Sequence, residues 1–365
     1  MSQRRDKTMI NVTKSYLPPF EHYNAYLREI WERNWLTNNG PLVVDLEKQL
    51  KDYLGVKHLF FVANGTLALQ VGIKALELKG EIITTPFSYV ATTASIVWEG
   101  CTPVFVDINA DTLCIDPELI EAAITPETVA IVATHVYGNP CNIAAIAQIA
   151  EKHNLKIIYD AAHAFGVKLN GETILTSGDI STLSFHATKL FHTVEGGCIV
   201  TNDDALAFKI AYMINFGHNG TEAFFGLGIN AKNSEFHAAM GLCVLPQVRS
   251  LIEKRAQLSL LYDSSLAGAD VRRPVIGNQV LYNYAYYPVI FSSTEKMLNV
   301  MAALNAQSIF PRRYFFPALN TLNYVTHSEN KIASSIASRV LCLPLYHDLE
   351  EDAVGLIAGI LKSSF

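Results

Sequence analysis

In His58-Leu-Phe-Phe-Val-Ala-Asn-Gly-Thr-Leu-Ala-Leu69 an apolar run of strand length passes through a turn into the start of a helix. The strand is expected over His58–Ala63 and the helix from Leu67 to Leu78, with Asn64-Gly65-Thr66 between them. The same succession recurs downstream. Glu81-Ile-Ile-Thr-Thr85 reads as a strand, Ser88 to Glu99 as a helix, and Thr102-Pro-Val-Phe-Val-Asp-Ile108 as the next strand. Asp116-Pro117-Glu118 supplies a capping carboxylate with proline at the first helical position. Val129 to His135, Ile143 to His153 and Lys156 to Asp160 continue as strand, helix, strand. Uniformly apolar strands alternating with helices up to about residue 216 imply an α/β fold whose mostly parallel sheet is covered on both faces.

The pattern changes near residue 245. An amphipathic stretch from Val248 to Leu266 leads into Tyr282–Phe291 and a helical Glu295–Gln307. A strand over Arg339–Leu345 and a closing helix over Asp348–Lys362 complete the chain. We therefore expect a large domain over residues 1–245, opened by a loose polar leader over 1–10, and a smaller α+β domain over 246–365. A length of 365 residues, half of them hydrophobic and 17% charged, suits two cores of this kind. Gly217 to Asn233 has little pattern and reads as a long functional loop.

Composition removes several classes of function. The net charge is −6, and no basic run is longer than a pair such as Arg4-Arg5 or Arg312-Arg313, so nucleic acid is not an expected partner. No apolar stretch has the length of a membrane span and none near the start reads as a signal peptide, which points to the cytoplasm with no membrane partner. The six cysteines lie far apart without a CxxC pair, and the eleven histidines form no HExxH. Buried free thiols and no metal site are expected.

Chemistry enters at Lys156-Ile-Ile-Tyr-Asp160 and Ser184-Phe-His-Ala-Thr-Lys189. An acid at the end of an apolar strand, followed by a lysine after Ser-Phe-His, suits pyridoxal 5'-phosphate. The Lys189 amine would hold the cofactor as a Schiff base, and the Asp160 carboxylate would keep its pyridine nitrogen protonated. Ligands of open α/β sheets gather at the carboxyl ends of strands, where Asp160 sits. Asn64-Gly65-Thr66 lies at a helix N-terminus, which attracts phosphate through unpaired N–H groups and the helix dipole. Taken alone it is also an ordinary turn and cap. Ser184 could add a hydroxyl. His163 could bond the cofactor's phenolic oxygen, pack beside the ring, or serve structure only. Tyr89 offers a face for stacking or is simply core. No GxGxxG or Walker lysine motif occurs.

These residues carry a resemblance. Trp35-Leu-Thr-Asn-Asn-Gly-Pro41, Asn64-Gly-Thr-Leu-Ala-Leu69, Thr85-Pro-Phe-Ser-Tyr-Val-Ala-Thr92, Pro103-Val-Phe-Val-Asp107, His135-Val-Tyr-Gly138, Asp160-Ala-Ala-His163, Ser184-Phe-His-Ala-Thr-Lys189, Glu195-Gly-Gly197 and Gly228-Ile-Asn230 follow in order. The series resembles the DegT/DnrJ/EryC1/StrS family of nucleotide-sugar aminotransferases over nearly the whole chain. The resemblance implies an aspartate-aminotransferase-like fold (fold type I) and a homodimer with shared active sites. It assigns Lys189 to covalent attachment of the cofactor, Asp160 to the pyridine nitrogen and Tyr89 to ring stacking. Gly65, Thr66 and Ser184 would hold the phosphate, and Asn230 would reach in from the partner subunit. His163 replaces a glutamine often found there, and Lys232 stands where an arginine is common.

The resemblance also implies L-glutamate as amino donor and a keto sugar on a nucleotide as acceptor. Dehydrating relatives carry histidine in place of Lys189, so the lysine favours amino transfer. Ser184, His186 and Thr188 would share one strand face by the period of two, placing His186 toward substrate or behind it. Phe310-Pro-Arg-Arg-Tyr-Phe-Phe-Pro317 resembles the loop that meets the nucleotide-sugar, with Arg312, Arg313 and Tyr314 as contacts. Glu195-Gly-Gly197 looks like members acting at the sugar C4. That points to a dTDP-4-keto-6-deoxy-hexose becoming a 4-amino sugar for surface polysaccharide, with a C3 ketone or a UDP-sugar as the alternatives. A cofactor-holding regulator without turnover would be expected to lack Lys189 or Asp160, and both are present.

Overall fold

The computed structural model describes residues 9–364. Two helices, α1 (Phe20–Arg33) and α2 (Pro41–Leu54), precede the first strand. Proline opens α2, and a side chain distant in sequence caps it. The fully buried Glu235 carboxylate accepts from the N–H groups of Leu42 at 3.0 Å and Val43 at 2.9 Å. A carboxylate there answers both the unpaired donors and the positive end of the helix dipole.

Seven strands form the main sheet: β1 (His58–Val62), β2 (Glu81–Thr84), β3 (Thr102–Phe105), β4 (Thr128–Thr134), β5 (Lys156–Asp160), β6 (Ile180–Ser184) and β7 (Gly197–Thr201). Their spatial order is β1-β7-β6-β5-β4-β2-β3. The pairs among β2 to β6 are parallel, and β7 runs antiparallel to both β6 and β1. Successive side chains point to opposite faces, as the pleat requires, and both faces of the central strands are buried. Ile82, Val132, Ile158 and Ile199 pack on one face with Ala68 and Leu69 of α3 (Gly65–Ala75). Ile83, Ile131 and Ile157 pack on the other with Ile146 of α5 (Ile143–His153), while α4 (Val90–Trp98) follows β2. On that second side Phe61, Leu183 and Cys198 meet Leu46 and Leu50 of α2 and Ala238 and Leu242 of α7 (Glu235–Val244); α6 (Asp204–Met213) precedes α7.

A smaller antiparallel sheet follows helix α8 (Val248–Ser265). It orders β8 (Val271–Arg272), β9 (Tyr287–Phe291) and β10 (Val340–Leu343) side by side, accompanied by α9 (Thr294–Ala306), α10 (Lys331–Arg339) and α11 (Glu351–Ser363). Its core joins Tyr262, Val289, Phe291, Val300, Leu341 and Ile357. Hydrogen bonds tie this region to the main sheet. Asp107 accepts from Ile332 N at 2.9 Å and Ala333 N at 2.8 Å, capping α10. Arg272 donates to Ala110 O at 2.9 Å, and Leu319 N to Pro86 O at 2.8 Å. Of the leader expected over residues 1–10, residues 1–8 lie outside the described residues. Ile10 and Asn11 pair in parallel with Ile309 and Phe310.

Three details differ from expectation. Helix α4 begins at Val90 rather than Ser88, because Tyr89 is extended and serves as its cap residue. Asp116 does cap, accepting from Glu118 N at 3.1 Å, but over a single 3₁₀ turn. The Gly217–Asn233 segment folds back on itself through paired Asn215 and Asn230 and paired His218 and Phe224. All six cysteines are buried and unpaired. Among the described residues no helix is long and apolar enough to cross a membrane, and no group of three or more His, Cys, Asp or Glu side chains is placed to hold a metal ion.

A titratable group stands behind the sheet edge. Glu47 of α2 accepts from Phe61 N at 2.7 Å, and burial pushes its carboxyl up to about 7 against the opposing pull of that N–H and of Lys51. The folded protein therefore keeps a proton that the unfolded chain loses above its ordinary 4.5, so stability falls as pH rises from 4.5 to 7. Glu47→Gln keeps an acceptor for Phe61 N. It is expected to match the wild type in urea unfolding at pH 5 and to exceed it by about 1–2 kcal/mol at pH 8.

Candidate active site

The carboxyl ends of the central strands open into a cavity of about 260 Å³. Asp160 ends β5, the middle strand of the seven, and its carboxylate is held from two sides. Ala162 N donates to Oδ1 at 3.1 Å and the Thr92 hydroxyl to Oδ2 at 2.7 Å. Thr92 has one proton and gives it to Asp160, so it must accept from Ser88 at 2.7 Å, and Ser88 from Thr134 at 3.0 Å. Three hydroxyls thus point in sequence at one carboxylate. Burial pushes Asp160 up, opposed by Thr92, Ala162 N and Lys189. A cation placed against it from the cavity would secure its charge.

Lys189 follows β6 across a tight turn in which its own N–H donates to His186 O at 2.8 Å. Burial lowers the Lys189 amine to about 8, against the pull of Asp160 and Tyr89. Its Nζ donates to the Tyr286 hydroxyl at 3.4 Å. His163 is buried, and burial first and Lys189 second hold it well below the usual imidazole range. Tyr137 N donates to its Nδ1 at 3.2 Å, which places the proton of the neutral ring on Nε2. Its ring lies parallel to Phe315 at 5.5 Å between centroids.

The phosphate-like end is built on close backbone approach. Asn64 caps α3, accepting from Leu67 N at 2.8 Å, which leaves the N–H groups of Gly65 and Thr66 without an intrahelical acceptor. A Cβ on Gly65 would lie 3.0 Å from Ser184 Cβ, and one on Gly197 would lie 2.6 Å from the Asn64 carbonyl carbon and 2.7 Å from Gly65 N. Only glycine lets β7 back the turn this closely. Gly197→Ala should displace the turn and weaken cofactor affinity about 10–100-fold with the fold intact; fluorescence titration of the cofactor-free variant measures this.

Gly65, Thr66, Tyr89, Asp160, His163, Ser184, His186, Lys189, Arg312 and Tyr314 all line this one cavity. Two expected residues do not. Arg313 donates to Ser338 O at 3.2 Å and covers the Phe316 ring, because the chain turns between it and Arg312. Asn230 pairs with Asn215 outside the cavity, and Lys232 likewise donates to Asn215 Oδ1 at 2.8 Å. The shared strand face of Ser184, His186 and Thr188 is also corrected. The strand stops at Ser184; Phe185 N makes one last bond to Gly196 O, and the chain then turns. His186 instead meets Thr188 Oγ1 at 2.8 Å and Glu195 at 3.5 Å. Ser88, Thr134, Tyr286 and Phe315 line the cavity without having been expected there, and Thr92 reaches Asp160 from behind. Thr92 had a signal, standing one helical turn after Ser88; Tyr286 had none in a run of tyrosines.

A family model described as the DegT/DnrJ/EryC1/StrS aminotransferase family matches residues 20–362. The chain belongs to that family. The dTDP-4-amino-4,6-dideoxy-D-glucose transaminase of Shigella dysenteriae is 44% identical across 97% of this chain and 98% of its own length. The enzyme of that description from Escherichia coli is 40% identical across 98% of both. A crystal structure of DesI in the presence of its TDP-sugar product superposes with a TM-score of 0.93 at 33% identity, covering 98% of this chain and 93% of that one. As a member of this family the protein is a pyridoxal-phosphate-dependent aminotransferase acting on nucleotide sugars, with the fold type I architecture.

The residues present fit that cofactor. A helix N-terminus with free N–H groups suits the phosphate, a buried carboxylate suits a pyridinium nitrogen, and a lysine with a lowered amine suits an aldehyde. Tyr89 is 54% exposed at the mouth, with its ring available to a flat ligand.

Proposed function

We propose that this aminotransferase moves the amino group of L-glutamate to C4 of dTDP-4-keto-6-deoxy-D-glucose. The product would be a 4-amino-4,6-dideoxy sugar for O-antigen or a similar surface polysaccharide. The similarity along the full chain to transaminases of that description carries the reading, and Glu195-Gly-Gly197 at the cavity supports it. The working form is a cytoplasmic homodimer in which Asn230 of each subunit serves its partner's cavity.

Bound pyridoxal phosphate supplies the electron sink that makes the donor's Cα proton acidic. The chain supplies the rest. Gly65, Thr66 and Ser184 would hold the phosphate, Asp160 would face the ring nitrogen, and Tyr89 would cover the ring. Lys189 would attach the cofactor and, as a free amine, would take the proton from the donor's Cα. With its amine lowered to about 8, roughly a tenth of it is free at pH 7, far more than for an ordinary lysine. His163 presents Nε2–H, a donor for the cofactor's phenolic oxygen. Arg312 and Tyr314 form the wall that the nucleotide-sugar would meet, and His186 with Glu195 can take sugar hydroxyls.

The test is spectroscopic. The purified protein with pyridoxal phosphate should show the band of the lysine-bound cofactor, and L-glutamate should bleach it. Candidate keto sugars are then ranked by how well they restore it. Recovery with a 3-keto or UDP-linked sugar, but not with the dTDP-4-keto sugar, would overturn the assigned substrate. A band indifferent to glutamate would overturn the donor.

A further inference from the structure

We propose that Tyr286 is a positioning residue for Lys189: its hydroxyl holds the amine, neutral or protonated, in the orientation from which it moves protons. The inference rests on the function proposed above and adds a residue to it.

Among the described residues the hydroxyl makes one hydrogen bond, that from Lys189 Nζ at 3.4 Å. A lysine side chain has four rotatable bonds, and the amine must find the same place each time it is released. Behind it lies a recess of about 10 Å³, bounded by Leu190, Asn283 and Tyr286, with room for one water at most. Tyr286 closes this recess and also lines the main cavity. A phenol suits the task because it accepts from an ammonium and donates to a free amine. Burial raises its pKa, with Arg255 and Arg312 pulling the other way, so it keeps its proton.

The segment carrying Tyr286 is fixed more firmly than a plain wall needs. Asn283, almost fully buried, donates to His163 O at 2.9 Å and Phe165 O at 3.1 Å, and accepts from Ala285 N at 3.1 Å. Arg255, also buried, donates to Ala285 O at 3.1 Å. Both polar groups of the residue before Tyr286 are thereby pinned. The ring then meets His163 edge-on at 4.7 Å and Tyr314 at 5.6 Å. Asn283 grips the turn that carries His163, so the hydroxyl and the imidazole are placed by one device. The step served is a proton transfer: the C–H bond at the donor's Cα breaks, an N–H bond forms at Nζ, and the proton is then delivered to the cofactor carbon that takes the amino group.

The experiment compares Tyr286→Phe, which loses only the hydroxyl, with Tyr286→Leu, which also loses the ring. Cofactor-free proteins are mixed with pyridoxal phosphate and the rate of band formation is read. Single turnovers with glutamate and with glutamate deuterated at Cα follow. Positioning predicts that Phe and Leu are alike, with capture about 10-fold slower and the half-reaction about 10–100-fold slower. The isotope effect should grow, while glutamate affinity and thermal midpoint of the Phe variant stay at wild-type values. A Phe variant within twofold of wild type in capture and turnover, beside a slow Leu variant, would make Tyr286 packing alone and overturn the proposal. A wild type that captures the cofactor but ignores glutamate would overturn the aminotransferase reading instead, and the capture rates would still decide for Tyr286.

Discussion

Lys189→Ala is expected to lose amino transfer by about 10⁴-fold or more, together with the absorbance band of the lysine-bound cofactor. The size follows from two roles held by one atom. In the proposed mechanism Nζ is both the point of covalent attachment and the base beside the donor's Cα, and among the described residues no second lysine lines the cavity. Arg312, also on its wall, carries a guanidinium suited to hold anions rather than to act as nucleophile or base. The fold should survive, since among the described residues Nζ hydrogen-bonds only to Tyr286. A thermal midpoint within a few degrees of wild type, with turnover gone, is the expected pair of results. Retained turnover in the alanine variant would remove Lys189 from the chemistry.

Asp160→Asn comes next, with an expected fall of about 10³-fold in kcat and a much smaller change in the glutamate KM. The amide retains the shape and an acceptor for Ala162 N, but it cannot hold a pyridinium proton by charge. The Thr134–Ser88–Thr92 chain, aimed at a carboxylate, then ends on a neutral group. Thr92→Val, which removes the nearest of those donors and keeps the carboxylate, should cost only about 10-fold. Equal losses for the two variants would mean that Thr92, rather than the charge, matters. Steady-state rates and the spectrum of the bound cofactor separate these cases.

Much of the α/β frame is legible because its cause is local. Ile143–His153 and Lys156–Asp160 have the bounds that their apolar period and flanking asparagines set. Asp160 and Lys189 are legible for a related reason, since a charged residue after an apolar strand has few uses. What local pattern does not reveal is supplied from afar. The start of α2 depends on Glu235 and the start of α10 on Asp107, partners separated by most of the chain. The strand period fails at His186 because the chain leaves the ladder after Phe185 and turns, Lys189 N closing on His186 O. Arg312 and Arg313 are indistinguishable in sequence. Arg312 pairs its backbone with Cys342 and faces the cavity, whereas Arg313 is drawn to Ser338 O. Tyr286 acquires its place from Asn283 and Arg255, whose targets no periodicity announces.

The bonds from Asp107, Arg272 and Leu319 make the two sheets a single mechanical piece, and this sets what a cut in the chain would do. A fragment ending near residue 245 would still contain Lys189 and Asp160. It would lack Tyr286, Arg312 and Phe315, and Asp107 would have no helix to cap. The cavity would become an open trough, its amine free to wander and its buried faces exposed to water. Proteolytic nicking in α8 should therefore silence the protein outright rather than leave a weakened core.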